Sequence, residues 1–296
     1  MGDIIHTLPA LTDAAAMLPQ LSFDWVVEEQ FAEIPKWHTN VARVIPIAWR
    51  RWRKNIVNPN NIKEMYNFYQ QLRHSTYDLI IDCQGLLKSA GVALLAHGTT
   101  HGFHYQVARE KFAAFCYQHR HMLPTQQDAI TKIRLLFAKI LGYSYCATLP
   151  NYGIKNNIFS SQQGQYIVLL HGTSWANKHW PQAHWASLAQ QALKEGLQII
   201  VPYYDAVGYQ TARYIQQECA NHTGLTIIQM YDLYSVASII YNAMGAVAVD
   251  TGLAHLASAF AIPTVALYGP TNPQYSGISG SKQQNITADF ACAPCL

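Results

Sequence analysis

The chain has 296 residues, half of them hydrophobic and only 12% charged, which suits packed interiors and excludes a disordered or strongly solvated polypeptide. Lysine and arginine number 20 against 17 aspartates and glutamates, a formal net charge of +3 that is too small to point to nucleic acid as a partner. Six scattered cysteines make no disulfide framework, and no apolar run approaches the ~18 residues of a membrane span. At about 100–200 residues per domain, two domains of a cytoplasmic α/β protein are expected.

Helical periodicity opens the chain over residues 4–17. Residues 23–27 and 43–47 read as strands, 62–72 as a helix, 77–82 as a strand and 126–141 as a long helix. The polar stretch 151–163, with paired Asn, Ser and Gln residues, reads as a linker between domains 1–150 and 151–296. Beyond it, strands at 165–170, 197–201, 225–228, 245–249 and 263–267 alternate with helices at 182–194, 205–219, 232–244 and 252–260. Such alternation with short turns is the pattern of a doubly wound parallel sheet covered on both faces. Two such halves imply a cleft, with ligands outside the carboxyl ends of the strands. A βα unit needs a strand ahead of its helix, yet Met1-Gly2-Asp3 leads straight into one, and 292–296 reads as a loop. The expectation is a chain without its first strand and last helix, from an internal start or as a gene remnant.

Several chemistries are excluded by missing motifs. There is no G-x-G-x-x-G fingerprint, no Walker P-loop, no H-E-x-x-H and no G-x-S-x-G elbow. No Asp-x-Asp occurs either, so a bound nucleotide diphosphate would need its charge balanced by something other than a carboxylate-held metal. Cys292 and Cys295 form a lone C-x-x-C, which without a second pair is weak ground for zinc. No metal and no cofactor are expected.

Four constellations remain. Asp250-Thr251-Gly252-Leu253-Ala254-His255 runs from a strand end across a tight turn into a helix, where unpaired amides and the helix dipole favour an anion. His255 lies four residues after Thr251 and so on its helical face; the plainer alternative is a capping Asp with a buried His. The loop after the first strand of domain 151–296 carries Thr173, Ser174 and Lys178, donors suited to a diphosphate or, taken singly, an ordinary helix-capping loop. Asp3 reads equally as a general base at a strand end or as a helix N-cap. Trp49-Arg50-Arg51-Trp52-Arg53-Lys54 reads as a polyanion or membrane-surface site or as a solvated charge run, with Arg109, Arg120, His119 and His121 as possible additions.

The blocks G-D-I-I-H-T-L-P-A-L-T-D-A, F-D-W-V-V-E-E, V-I-P-I-A-W-R-R-W-R-K, D-C-Q-G-L-L-K-S-A, T-S-W-A-N-K-H-W-P, V-D-T-G-L-A-H-L and Y-G-P-T-N-P resemble the lipopolysaccharide heptosyltransferase I branch of glycosyltransferase family 9, across nearly the whole chain. That resemblance implies a GT-B fold of two Rossmann-like domains, with the acceptor site in the first and the nucleotide-sugar site in the second. It implies metal-independent, inverting transfer of L-glycero-D-manno-heptose from ADP-heptose to a Kdo sugar of Kdo2-lipid A, by an enzyme that visits the cytoplasmic face of the inner membrane. By the same resemblance Asp3 matches the catalytic base. Thr173, Ser174 and Lys178 match the diphosphate contacts, and Asp250, Thr251, Gly252, Leu253 and His255 match the turn that holds heptose and phosphates. Arg50, Arg51, Arg53 and Lys54, with Arg109 and Arg120, fall to the acceptor. The family's acid on the adenosine ribose has no clear match, Asp205 being the nearest. A truncated homologue that binds donor without turnover, or a GT-B transferase with another sugar, are the alternatives.

Overall fold

The computed structural model describes residues 1–155, 158–159, 164–289 and 293. It divides into two compact units, His6–Gly153 and a second formed by Met1–Ile5 with Ile154–Leu296. The first five residues thus group with the C-terminal unit and not with residues 6–150, as the sequence reading had them. Cys292 and Cys295 lie outside the described residues, as does part of the expected linker.

The N-terminal unit follows the order α1 (Gly2–Met17, begun in the other unit), β1 (Phe23–Glu28), α2 (Glu33–Lys36), β2 (Val41–Ile47), α3 (Trp49–Trp52), α4 (Pro59–Arg73), β3 (Thr76–Ile81), α5 (Leu87–Leu95), β4 (His97–Phe103), β5 (His119–His121) and α6 (Ala129–Leu141). All its strand pairs are parallel: β1 with β2, and β3 with β4 with β5. Side chains link the two sheets, since the Asp24 carboxylate accepts from Arg43 Nη2 at 2.6 Å and from the Tyr77 hydroxyl at 2.9 Å. Ala10, Leu11 and Ala14 of α1 pack with Val41, Ile133 and Phe137, which buries the apolar faces of both long helices. Arg134, almost wholly buried, fastens the same helices through Asp13 at 2.6 Å and bonds the Thr148 carbonyl at 2.7 Å.

The C-terminal unit continues with β6 (Tyr166–Leu170), α7 (Gln182–Lys194), β7 (Gln198–Tyr203), α8 (Ala206–Glu218), β8 (Leu225–Gln229), α9 (Leu233–Tyr241), β9 (Gly245–Val249), α10 (Gly252–Ala259), β10 (Thr264–Tyr268), α11 (Pro273–Ser276) and β11 (Gln283–Thr287). Its six strands are parallel in the order β11-β10-β9-β6-β7-β8. The two central strands β6 and β9 are apolar runs buried on both faces, over a core of Leu169, Trp185, Ile199, Val201, Ile215 and Val249. Asp205 and Asp232 cap α8 and α9 by accepting from the amides of Gly208 and Ser235. Chain order runs outward one way from β6 to β8 and the other way from β9 to β11, so direction reverses between β6 and β9. The chain continues from those two strands toward opposite edges of the sheet, and the switch point between them is where such sheets bind ligands.

Candidate active site

The loops after β6 and β9 meet. Lys178, at the end of a single 3₁₀ turn, places its Nζ 2.6 Å from Asp250 Oδ2, and both side chains are largely shielded from water. The Thr173 hydroxyl donates to the Asp250 carbonyl at 3.3 Å. The Thr271 hydroxyl donates to the same carboxylate from the loop after β10. One carboxylate therefore gathers three loops at the switch point. Thr251 is the N-cap of α10 and makes no side-chain capping bond, so the hydroxyl is not spent on the amides of the helix's first turn. Ser174 is exposed, Leu253 is buried at the start of α10, and His255 is buried at 6% exposure. His255 is thus buried, but Asp250 is not the N-cap of α10, that position being Thr251. Asp205 caps α8, so its carboxylate is already bonded locally.

Gly252 matters by close approach. A Cβ built there would lie 2.6 Å from Met1 Cβ and 2.9 Å from its Sδ. Met1 therefore rests on the turn, and Asp3, exposed in the first turn of α1, follows two residues later in the same compact unit. His171 directly follows β6, with its ring buried and edge-on to Trp185. Burial pushes its pKa down to about 4, assisted by His179 and opposed by a bond to the Pro202 backbone, so the ring is neutral at pH 7.

In the N-terminal unit the basic run forms α3 and is not uniformly free. Arg51 is held by Glu29 at 3.1 Å and by Glu64 at 2.7 Å, and Glu64 also accepts from the Trp52 indole. Its charge is paired within the fold, although the side chain stays 46% exposed. Arg50 lies over the Phe31 ring, whereas Arg53 and Lys54 are exposed and make no ion pair among the described residues. Arg109 and Arg120 are exposed, the latter over Phe115. His121 bonds His101 at 3.1 Å, and burial first, then His101, Lys139 and His119, hold its pKa below the ordinary value. The sequence reading did not single out Asp82, which is buried and accepts from Gln84 N, Gly85 N, Ser89 Oγ and the Tyr117 hydroxyl, fixing the turn between β3 and α5. Among the described residues no group of three or more His, Cys, Asp or Glu side chains could hold a metal ion.

The model of glycosyltransferase family 9 (heptosyltransferase) matches residues 65–296. The chain belongs to glycosyltransferase family 9. Within the family it is 42% identical over 299 residues to lipopolysaccharide heptosyltransferase 1 of Pseudomonas aeruginosa, covering 100% of this chain and 83% of that protein. Against lipopolysaccharide heptosyltransferase 1 of Escherichia coli K12 it is 42% identical over 287 residues, covering 96% of this chain and 89% of that one. The solved structure of E. coli heptosyltransferase WaaC with ADP matches at a TM-score of 0.92 and 40% identity, over 98% of this chain and 91% of the other. The same enzyme with ADP-2-deoxy-2-fluoro heptose matches at 0.88. The fold is accordingly the GT-B fold of this glycosyltransferase family.

Proposed function

We propose that this family 9 glycosyltransferase is a heptosyltransferase of lipopolysaccharide core biosynthesis that moves L-glycero-D-manno-heptose from ADP-heptose to a Kdo sugar of Kdo2-lipid A, with inversion at the anomeric carbon. The observation that carries the reading is the junction of Lys178, Asp250, Thr173 and Thr271 at the β6/β9 switch point. Support for the donor comes from relatives, WaaC having been solved with ADP and with a fluorinated ADP-heptose.

As the glycosidic bond to ADP breaks, negative charge grows on the diphosphate. Lys178, the hydroxyls of Thr173 and Ser174, and the first amides of α10 meet that charge in a partly dry site, where oriented donors act most strongly. This role asks for no metal. Asp250 aims the Lys178 ammonium, while Thr251, Gly252 and Leu253 shape the turn for heptose and phosphates. His255, buried a helical turn further on, acts on that turn from within the packing. Asp3 takes the proton of the attacking Kdo hydroxyl, the step that makes the oxygen a competent nucleophile.

On the acceptor side Arg50, Arg53 and Lys54, with Arg109 and Arg120, meet Kdo carboxylates and lipid A phosphates. No helix among the described residues is long and apolar enough to cross a membrane. Peripheral contact with the cytoplasmic face of the inner membrane is part of the proposal, supported by Phe112 and Phe115, which stand 72% and 67% exposed in the same unit as these cations. The test is Asp3→Asn. Transfer should fall about 10²–10⁴-fold, the usual worth of a general base, while calorimetric binding of ADP-heptose stays unchanged. Undiminished transfer would remove Asp3 from the mechanism.

A further inference from the structure

The N-terminal unit contains a groove of about 830 Å³ that the proposed chemistry does not use. Its walls are Trp49 and Trp52 of α3, Phe68 of α4, and Leu87, Val92 and Leu95 of α5. The volume lies in the ~300–1,000 Å³ range of sites that enclose small ligands. Trp52 and Phe68 are packed in the core of this unit, while Trp49, Leu87 and Leu95 are 39%, 50% and 43% exposed, so the groove has a packed apolar floor and an apolar edge open to solvent. The floor is bare at one point, for a Cβ added to Gly91 would meet nothing within 4 Å.

What surrounds the groove restricts its occupant. Arg50 lies between the two lining tryptophans within α3, Arg53 and Lys54 follow them, and Lys88 lines the groove from α5; Glu110 lines it too, its carboxylate accepting from the Leu87 amide at 2.6 Å. Arg51 is paired with Glu29 and Glu64, whereas Arg50, Arg53 and Lys54 make no ion pair among the described residues, so cations around the groove outnumber its one lining carboxylate, Glu110. A purely apolar ligand would gain nothing from such a rim, and a purely anionic one nothing from the walls. An amphiphile whose anionic head sits against its hydrocarbon matches both. We infer that this groove receives one acyl chain of the glycolipid acceptor. The inference rests on the acceptor class proposed above and goes beyond it, because it assigns the lipid portion a binding site on the protein.

The groove can be filled without touching the catalytic machinery. Gly91 is in the interior of α5, where replacing glycine favours the helix, and the open space admits a side chain. Steady-state transfer is measured for wild type, Gly91→Ala and Gly91→Leu with acylated Kdo2-lipid A and with its fully deacylated Kdo-bearing disaccharide. Each methylene kept out of an apolar site costs about fourfold in affinity, so excluding two or more raises KM for the acylated acceptor by at least about tenfold in Gly91→Leu. The deacylated acceptor and Gly91→Ala should remain within about twofold of wild type. Leu95→Gln, at an exposed position, is the second variant and should shift KM in the same acylation-dependent way.

Equal KM values for Gly91→Leu and wild type, or a rise shared by both acceptors, would overturn the inference. So would reduced binding to phosphatidylethanolamine–phosphatidylglycerol vesicles with an unchanged acylated-to-deacylated KM ratio, since the occupant would then be bulk lipid. If wild type transfers to neither acceptor, the functional reading fails by itself. Equilibrium binding of acylated acceptor then decides the groove, weaker binding in Gly91→Leu supporting it and equal binding overturning it.

Discussion

Replacing Lys178 by Met separates the two jobs assigned to the ammonium. The Lys178 and Asp250 side chains are 17% and 9% exposed and lie 2.6 Å apart, so the substitution strands a carboxylate whose remaining side-chain partner among the described residues is the Thr271 hydroxyl. Breaking a buried pair from one side costs ~3–5 kcal/mol, and the partial exposure of Lys178 moves the expectation to the lower end, about 3 kcal/mol. The ammonium is also proposed to face the diphosphate, and a hydrogen bond to a charged group is worth ~1.5–3 kcal/mol, or about 10- to 150-fold in ADP affinity. The double variant Lys178→Met/Asp250→Asn tells these effects apart. Removal of the stranded charge should return stability to within about 1 kcal/mol of wild type, while ADP binding stays weak. Urea unfolding and titration calorimetry with ADP read the two quantities. The reasoning fails if the single variant unfolds at the wild-type urea concentration, or if it binds ADP as wild type does.

Two further predictions concern the scaffold. Arg134→Met leaves Asp13 unpaired and the carbonyls of Cys146 and Thr148 without their donor, and should cost ~3–5 kcal/mol in denaturant unfolding; a loss below about 1 kcal/mol would show that the clamp between α1 and α6 is dispensable. His171, at about 4 in the fold against ~6.5 unfolded, binds its proton more weakly when folded, so its contribution is intact above about pH 6.5 and is lost as the pH falls toward 4. At pH 5 that loss is about 2 kcal/mol, and His171→Phe should flatten the fall in unfolding free energy between pH 7 and 5; an unchanged slope would exonerate the ring.

The C-terminal sheet was readable because burial on both faces leaves strands such as Gly245–Val249 almost wholly apolar, bounded by turn residues. Strand β4, with the sequence His-Gly-Thr-Thr-His-Gly-Phe, carries no such pattern. It is held instead by Gly102, which lets the Tyr117 ring lie against its backbone, and by stacking of His101 on His119 at 4.7 Å. The polar edge strand β11 was hidden because an edge keeps one side in water and needs no apolar alternation.

The candidate site divides in the same way. Asp250 and Lys178 stand in motifs whose residue types announce anion chemistry, and the loops that carry them leave the strands that β pairing makes neighbours. Thr271 lies 21 residues beyond Asp250, and only the β9/β10 register brings it there. The pairing of Arg51 with Glu29 and Glu64 spans 22 and 13 residues, so a local reading of the run does not show that the fold pairs this cation. The grouping of Met1–Ile5 with the C-terminal unit rests on contacts such as Met1 on Gly252, which no spacing in the sequence reveals.

The most direct test is to incubate the purified protein with ADP-heptose and Kdo2-lipid A, following ADP release and the mass of the lipid product. The account predicts one ADP released for each acceptor that gains one heptosyl residue. Binding of ADP with neither release from the donor nor a heavier acceptor would contradict it.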